Sequence, residues 1–531
     1  MLGRKSMLSK PALPKPVLPR HKLVQMSALC WEVIQTPVDA VVLEAIEAPE
    51  APEAPEVSDV PEATKVTKVS EVSEVSEATE VSDVPEATKA IEAPEVSEVS
   101  KVSEVSEAIE ATEVSEATEV PKAPEIPKAR AANRFDQKFL AIAEAVANAK
   151  NGLDEIPPKD YTLLARELDI YGQLKKRLSK QFRLRVVTNA TLKLYEMLNT
   201  FELIAVPPKG GRLRIRAFCN AELPGAFLIA LNSYVLGLLS QRVGRSQIDF
   251  DWVASSYLPE AAGAGSTILD DEYGIYASHR DRWFMGPRPN AMPEGEPAVS
   301  GDVTDSSVVA AIADAVHARY PEIPAESVHS GATLYTSDAG IDVSGDYNRQ
   351  EEHTALLNFG QILCGILSLA PGGVLITKQY SFLTEFNREV ITVLSALFDC
   401  LRIVKPVTSR PANSEIYLIG VGFRGVSREM ADSLLDTLTV MKQREVAPGL
   451  AIQQCYLLRG GMAAYPAADH QLLDISDEIA QTQIKYLKEI VSVFQATRGK
   501  KLDDLRSFTE SIADTAIENW MSANPMVHIA K

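Results

Sequence analysis

The sequence predicts an α/β protein with a mostly parallel sheet whose last strand is reversed. Helical N- and C-terminal extensions and a disordered acidic repeat arm complete the predicted architecture. Three observations support this prediction. β-rich runs alternate with amphipathic helical patterns between residues 213 and 425. The last two runs are joined by a loop of nine residues, which is too short for a crossover helix. One long tract repeats a few acidic and small residues.

Residues 1–43 form a basic, proline-rich leader, and the repeat tract follows at residues 44–128. The string VSDVPEATK occurs at Val57–Lys65 and again at Val81–Lys89. Residues 41–130 hold 23 acidic and 7 basic residues. Without aromatic side chains, little apolar area can offset the chain entropy of folding, so we expect disorder rather than a solenoid. The tract would serve as a spacer or as an arm for an unknown protein partner.

Composition excludes several classes of protein. The 531 residues carry a net charge of −19, but the chain outside its first 130 residues carries only −7. The 5 cysteines form no CxxC pair and the 7 histidines are scattered, so we expect reduced thiols and no metal site. No apolar run reaches 18 residues, and prolines interrupt the basic N-terminus. We therefore expect a soluble intracellular protein without a membrane partner.

Residues 129–212 have helical periodicity and end in a basic stretch. Between residues 172 and 216, 11 basic residues face two acidic ones. A solvated helix face would explain an isolated run of this kind. Because the chain is otherwise acidic, a surface that tracks phosphates is at least as good an explanation. The candidate RNA-binding residues on the predicted helix are Lys175, Lys176, Arg177 and Lys180.

The region 213–425 is predicted to form the sheet, and the region 426–531 a helical extension without a recognisable motif. The helices of the sheet region are expected at about 351–369, ended by Pro371-Gly372-Gly373, and at about 383–398. The strands are expected at 213–219, 332–338, 374–378, 400–406 and 416–423.

Three ionisable side chains follow or precede these predicted strands at one edge. Asp338 ends TLYTSD, Lys378 ends VLITK, and Glu415 opens the last strand. Open α/β sheets bind ligands at the carboxyl ends of their strands. We therefore expect the three groups to share a site.

The first strand is followed by a Pro-Gly turn instead of a GxGxxG or GxxxxGK[ST] motif. Such a turn lets the backbone approach a ligand closely, ahead of a helix N-terminus. The candidate cofactor-binding residues here are Asn220, Glu222, Pro224, Gly225, Ala226 and Phe227.

The segments 332–345, 371–380 and 405–422 resemble the FtsJ-like ribose 2′-O-methyltransferases. KPVTSRPANSEIYLIG is most similar to the mRNA cap-1 enzymes of that class. The resemblance implies a Rossmann-like methyltransferase sheet, S-adenosylmethionine as cofactor, capped RNA as partner and a Lys–Asp–Lys–Glu tetrad. Asp338, Lys378 and Glu415 match its last three members, and Lys193 in TNATLKLYEML matches the first.

The resemblance also suggests secondary contacts. Ala226 stands where relatives have glycine, which would strain a left-handed backbone position. Asp302 in SGDVTDSS matches an aspartate that binds adenine, although a helix N-cap is an equal explanation. Arg410 would contact phosphate or fix its loop. Four aromatic residues would stack on a base or belong to a core: Tyr273, Tyr276, Trp283 and Phe284.

The chemistry requires a base for the ribose hydroxyl. A lysine has an ordinary pKa of about 10.4, which is too high for this role. We expect Lys193 and the cationic donor to lower the pKa of Lys378 to roughly 7–8, with Asp338 and Glu415 orienting the two amines.

The expected function is S-adenosylmethionine-dependent 2′-O-methylation of the first transcribed nucleotide of capped mRNA. Methylation of internal ribosomal or transfer RNA and an inactive scaffold in a capping complex are the alternatives. A repetitive arm on such an enzyme would suit a large DNA virus, which would place the protein in the host cytoplasm or the virion.

Overall fold

The computed structural model describes most of the chain beyond the repeat tract. The described residues are 29–37, 41, 43, 135–182, 187–208, 210–257, 271–285, 301–323, 328–343, 346–445, 449, 451–452, 455–497 and 503–527. The predicted disordered tract 44–128 and most of the predicted leader lie outside them.

Seven strands form a single sheet in the order β3-β2-β4-β5-β7-β6-β1. Neighbours among β2, β3, β4 and β5 are parallel, β7 is antiparallel to both β5 and β6, and β1 is antiparallel to β6. The strands are β1 (Leu29–Glu32), β2 (Leu213–Asn220), β3 (Ile248–Ala254), β4 (Ala332–Ser337), β5 (Leu369–Gln379), β6 (Phe398–Lys405) and β7 (Ile416–Phe423).

Helices cover both faces of this sheet. They are α1 (Asp136–Asn151), α2 (Pro158–Glu167), α3 (Gly172–Phe182), α4 (Asn189–Thr200), α5 (Ala226–Asn232), α6 (Ser240–Val243), α7 (Ile275–Ser278), α8 (Ser306–Arg319), α9 (Gln350–Ser368), α10 (Glu385–Leu397), α11 (Arg428–Arg444), α12 (Pro466–Thr497) and α13 (Asp503–Ala523). A π-helical turn, Ser233–Leu239, joins α5 to α6.

The predicted α/β class with a mostly parallel, Rossmann-like sheet is confirmed; β7 is the predicted reversed strand, and β1, antiparallel to β6, is a second. Two strands were not predicted. In β3, aspartates alternate with Ile248, Phe250 and Trp252, and the strand is largely half-buried at the sheet edge. β1 has only four residues and lies within the predicted leader, so part of that segment belongs to the sheet.

The prediction that Pro371-Gly372-Gly373 ends α9 was also wrong. The helix ends at Ser368, and these residues lie inside β5, where the pairing with β4 shifts register. Gly372 has a φ of 80°, a left-handed conformation that glycine accommodates without strain. The irregular start of β5 therefore replaces the expected loop.

Side chains on the two faces of the sheet belong to two hydrophobic cores. Phe218 packs in one and its neighbour Cys219 in the other, as the alternation of a strand requires. The first core includes Phe359 of α9, and the second includes Trp520 of α13. The predicted C-terminal extension, 426–531, thus supplies part of the core that covers the sheet.

One segment among the described helices, Ala226–Val243, has the length and hydropathy of a membrane span. Its Leu231, Val235 and Leu239 are fully buried in the second hydrophobic core. Packing against the sheet therefore accounts for its apolar composition.

Candidate active site

The sheet topology brings three of the predicted tetrad residues together. Asp338 follows β4, and Lys378 lies near the end of the neighbouring parallel strand β5. Because β7 is antiparallel to β5, its first residue, Ile416, pairs with Gln379. Glu415 directly precedes β7, and Lys378 lies at the end of β5, so the antiparallel pairing of the two strands holds both residues at the same edge of the sheet.

Two amine–carboxylate pairs form the centre of the site. Lys193 Nζ, on α4, lies 2.5 Å from Glu415 Oε1. Lys378 Nζ lies 3.3 Å from Asp338 Oδ1 and donates a hydrogen bond of 2.8 Å to the Asp338 carbonyl. The Tyr417 hydroxyl donates to Asp338 Oδ1 at 2.8 Å, and its ring lies 5.8 Å from Lys193 Nζ. Tyr417 therefore contacts one residue of each pair, Asp338 through its hydroxyl and Lys193 through its ring.

These contacts set the charge state of the site. Burial alone would raise the pKa of Glu415, but the Lys193 ammonium and then that of Lys378 lower it to about 2. Burial alone would lower the pKa of Lys378, but the carboxylate of Asp338, followed by Tyr380 and Glu415, raises it above its ordinary value. Acids rather than cations therefore dominate the surroundings of Lys378 in the protein alone, and the lowered pKa expected beside a cationic donor stays a prediction.

The sequence analysis missed a third buried lysine, Lys405, at the end of β6. Its Nζ donates to the carbonyls of Asn413 and Glu415 at 3.0 and 2.8 Å, and to Asn413 Oδ1 at 3.1 Å. Burial lowers the pKa of Lys405 to about 8, Glu415 opposes this change, and Lys193 adds to it. In the sequence, the Lys405-Pro406 pair that opens KPVTSRPANSEIYLIG was the signal that could have identified this lysine. Its hydrogen bonds tie the two ends of the loop before β7 together.

The loop after β2, residues 221–227, forms the start of a ligand cleft. Gly225 is the N-cap of α5 with a φ of 116°, and a Cβ there would collide with the Ile275 side chain. Ala226 is the first residue of α5 and has no left-handed backbone. The alanine that departs from the family pattern therefore causes no backbone strain.

Glu222 lies buried at the base of this loop. Its Oε1 accepts a hydrogen bond of 2.7 Å from the Leu228 amide. Burial raises the pKa of Glu222 to about 8; the Leu228 hydrogen bond lowers it, and the Asp338 carboxylate adds to the rise. Glu222 and Asp338 both line the cleft, where a cationic ligand would favour the ionised form of Glu222, so the donor set fits S-adenosylmethionine, which carries a sulfonium and an ammonium.

A cleft of about 1320 Å³ extends from this loop and Asp338 to the helices outside the sheet. Single small-molecule pockets occupy about 300–1,000 Å³, so the cleft has room for a cofactor and part of a second substrate. Its far end is lined by residues of α2, α3 and α13. Of the predicted RNA-binding residues, Lys175, Lys176 and Arg410 line it.

The other two predicted RNA-binding residues are not part of the cleft lining. Arg177 is 44% exposed and lies 4.0 Å from Glu518, and Lys180 is exposed on α3. Three of the five predicted residues therefore share one cavity, and their contact with RNA stays a prediction.

Asp302 and Asn220 make contacts within the protein. Asp302 Oδ1 accepts from the Thr304 amide at 3.0 Å, and Oδ2 lies 3.2 Å from Lys442 Nζ. The N-cap of α8 is Asp305, so the alternative explanation for Asp302 was wrong. Asn220 Nδ2 donates to Ser337 at 3.1 Å, which ties β2 to β4. Neither side chain lines the cleft, and their contact with the cofactor stays a prediction.

The aromatic residues of the segment before α8 divide between core and cleft. Trp283 is buried and its ring centroid lies 5.5 Å from that of Tyr276, nearly perpendicular to it. Phe284 packs against the first hydrophobic core. Tyr273 lines the cleft. In the part of the chain that the structure describes, no group of three His, Cys, Asp or Glu side chains is placed to hold a metal ion.

The sequence of this domain matches a known family. Residues 186–423 match the family model described as FtsJ-like methyltransferase. The resemblance inferred from the sequence motifs is confirmed. All four tetrad residues and the 221–227 loop lie inside this FtsJ-like segment, whereas α2, α3, α12 and α13 lie outside it.

Curated relatives cover the same region. A "Probable methyltransferase" of African swine fever virus is 36% identical over 266 residues, 50% of this chain and 56% of the relative. An uncharacterized protein of Acanthamoeba polyphaga mimivirus is 31% identical over 269 residues, 50% of this chain and 30% of the relative. The "Cap-specific mRNA (nucleoside-2'-O-)-methyltransferase 2" of Mus musculus is 25% identical over 353 residues, 63% of this chain and 42% of the relative. The chain thus spans about half the length of these relatives or less.

Proposed function

We propose that this chain is an S-adenosylmethionine-dependent RNA ribose 2′-O-methyltransferase that acts on the first transcribed nucleotide of capped mRNA. The observation that carries the proposal is the convergence of Lys193–Glu415 and Lys378–Asp338, of which Asp338 lines the cleft. An inactive scaffold would not need two buried amine–carboxylate pairs, since replacing such a pair by well-packed apolar residues is often neutral or stabilising.

The loop 221–227 and the carboxylates of Glu222 and Asp338 would hold the cofactor. When bound, S-adenosylmethionine supplies a methyl group that is already activated by the positive sulfur. The chain must therefore contribute alignment and a base for the hydroxyl proton, and it needs no metal for these tasks.

Lys378 is the base in this proposal. Its neutral Nζ would accept the 2′-hydroxyl proton while the oxygen bonds to the methyl carbon and the methyl–sulfur bond breaks, with the electron pair left on the sulfur. The raised pKa of Lys378 in the protein alone keeps its amine protonated at neutral pH. A cationic donor beside Asp338 would offset the carboxylate and lower that pKa, so that the amine becomes neutral when both substrates are present. Glu415 keeps the Lys193 ammonium directed at the same point.

The outer part of the cleft supports an RNA substrate. Lys175, Lys176 and Arg410 line it together with several acidic side chains, Glu510 among them, and the three cations would bind phosphates without reading sequence. The similarity to the cap-specific mRNA methyltransferase of the mouse supports capped mRNA as the substrate.

The test measures transfer of a tritiated methyl group to three short RNAs: uncapped, capped, and capped with a 2′-O-methyl group already on the first nucleotide. We expect counts on the second RNA and background on the other two. Lys378→Ala should abolish them. Equal counts on capped and uncapped RNA would refute cap dependence. Counts on the RNA that is already methylated would show that the target is a later nucleotide. No counts on any of the three RNAs would refute the proposed methyltransferase activity.

A further inference from the structure

Two helices outside the FtsJ-like segment contact the loop that carries Glu415. We define Pro406–Glu415 as the catalytic loop. We propose that α12 and α13 complete the active site by fixing this loop from outside, with Gln483 and Trp520 as positioning residues for Glu415 and Lys193. The effect on rate rests on the proposed methyltransferase function, whereas the effect on loop order does not.

Gln483 of α12 fixes the second half of the catalytic loop. Its side chain is 3% exposed. Its Nε2 donates to the Ala412 carbonyl at 2.8 Å and to Ser414 Oγ at 3.3 Å. The amide therefore binds the residues on both sides of Asn413, and Ser414 directly precedes Glu415. A buried amide with two partners in one loop restricts that loop far more than a single surface contact would.

Trp520 of α13 fixes the first half through an intermediate carboxylate. Trp520 Nε1 donates to Glu196 Oε2 at 3.2 Å. Glu196 also accepts from the Val407 amide at 2.7 Å and from Thr408 Oγ1 at 2.9 Å. Glu196 lies three residues after Lys193, hence on the same face of α4. One buried carboxylate thus joins α4, the catalytic loop and α13.

Further anchors come from within the hairpin. Lys405 holds Asn413 and Glu415 and so ties the loop to the end of β6, and Ser409 Oγ donates to Glu415 Oε1 at 2.9 Å. Without the two outer anchors, Val407 to Ala412 would have many accessible conformations, and Glu415 would share this freedom. Small displacements matter here, since misplacing a catalytic group by about 1 Å can reduce the rate by about 100-fold.

This arrangement predicts a specific kinetic signature. The proposed cofactor loop, residues 221–227, is held by groups outside the catalytic loop. The Glu222 amide donates to the Ser255 carbonyl, and the Leu223 amide donates to Ser256 Oγ. Loosening the catalytic loop should therefore lower kcat while leaving the KM for S-adenosylmethionine unchanged. A general loss of structure would change both.

The experiment uses the full chain with Gln483→Leu and, as matched control, Gln481→Leu. Gln481 lies on the exposed side of the same helix and donates only to Asp477 at 3.3 Å. Hydrogen–deuterium exchange of peptides covering the catalytic loop and kcat on the RNA substrate are measured for each. We expect Gln483→Leu to speed loop exchange at least about 10-fold and to lower kcat about 10- to 100-fold, with the control at wild-type values.

Trp520→Phe is the second, independent variant. It keeps an aromatic ring in the core and removes the indole N–H that donates to Glu196, so we expect faster exchange at Val407 and Thr408 and a lower kcat. Wild-type exchange in both Gln483→Leu and Trp520→Phe would overturn the proposal, as would equal changes in kcat and in the KM for S-adenosylmethionine. If wild type transfers no methyl group but loop exchange still responds as expected, the positioning role stands and the methyltransferase proposal fails.

Discussion

Replacing Glu415 by glutamine tests the electrostatics of the site in the most quantitative way. The pKa of this carboxyl falls from 4.5 to about 2 in the folded protein, because the Lys193 and Lys378 ammoniums outweigh burial. One pKa unit corresponds to about 1.4 kcal/mol, so the charged form contributes about 3 kcal/mol to the free energy of unfolding at pH 7. Because the folded pKa is depressed, this contribution is present above pH 4.5 and is lost as the pH falls toward 2.

The assay is urea unfolding of wild type and Glu415→Gln at two pH values. We expect the variant to be less stable by about 3 kcal/mol at pH 7 and by only about 1 kcal/mol at pH 3, where most of the wild-type advantage has been titrated away. Glu518→Gln is the matched control. Glu518 is 69% exposed and lies 4.0 Å from Arg177, so its loss should change stability by less than about 0.5 kcal/mol.

Two results would refute this reasoning. The first is a Glu415→Gln protein as stable as the Glu518→Gln control at pH 7. The second is a stability difference that stays constant between pH 7 and pH 3, since this would assign the loss to packing rather than to the ion pair.

Three further predictions address the base, the cofactor loop and the RNA wall. Lys378→Arg keeps a positive charge but cannot give up its proton, so methyl transfer should fall about 10²- to 10⁴-fold; retention of a tenth of the activity would exclude the base role. Gly225→Ala forces a side chain onto a φ of 116° and should weaken S-adenosylhomocysteine binding at least about 10-fold by calorimetry, and an unchanged Kd would contradict the cofactor loop. Replacing both Lys175 and Lys176 by glutamate should raise the KM for RNA and reduce its salt dependence by about two ions, whereas Lys180→Glu, outside the cleft, should not; equal effects would move the RNA path.

The tetrad could be predicted from the sequence because each member has a local signature. Asp338 and Lys378 end strands whose apolar runs are easy to recognise, and Glu415 opens a strand forced by a short loop to be antiparallel. Once the strand ends are known, the geometry of a parallel sheet brings the residues to one edge. Lys193 required the family resemblance, since a lysine in a helix has no such signature.

The features that were missed depend on contacts between residues far apart in the chain. β3 was overlooked although its aspartates alternate with apolar residues as in a half-buried strand, whereas β1 has only four residues and pairs with the edge of β6. Gln483 contacts Ser414 of the catalytic loop across 69 positions of the chain, and Trp520 contacts Glu196 of α4 across 324 positions. No local pattern announces such a contact. The raised pKa of Lys378 in the protein alone was not foreseen for the same reason, because the direction of the shift depends on which charges surround the amine in space.

The most direct test of the account is the position of the methyl group in the product. Capped RNA is incubated with the full chain and S-adenosylmethionine, digested to nucleosides, and analysed by mass spectrometry. The account predicts a single added methyl group on the ribose 2′-oxygen of the first nucleotide, formed by wild type and not by Lys378→Arg. A methyl group on a base, or a ribose methyl group formed equally well by that variant, would contradict it.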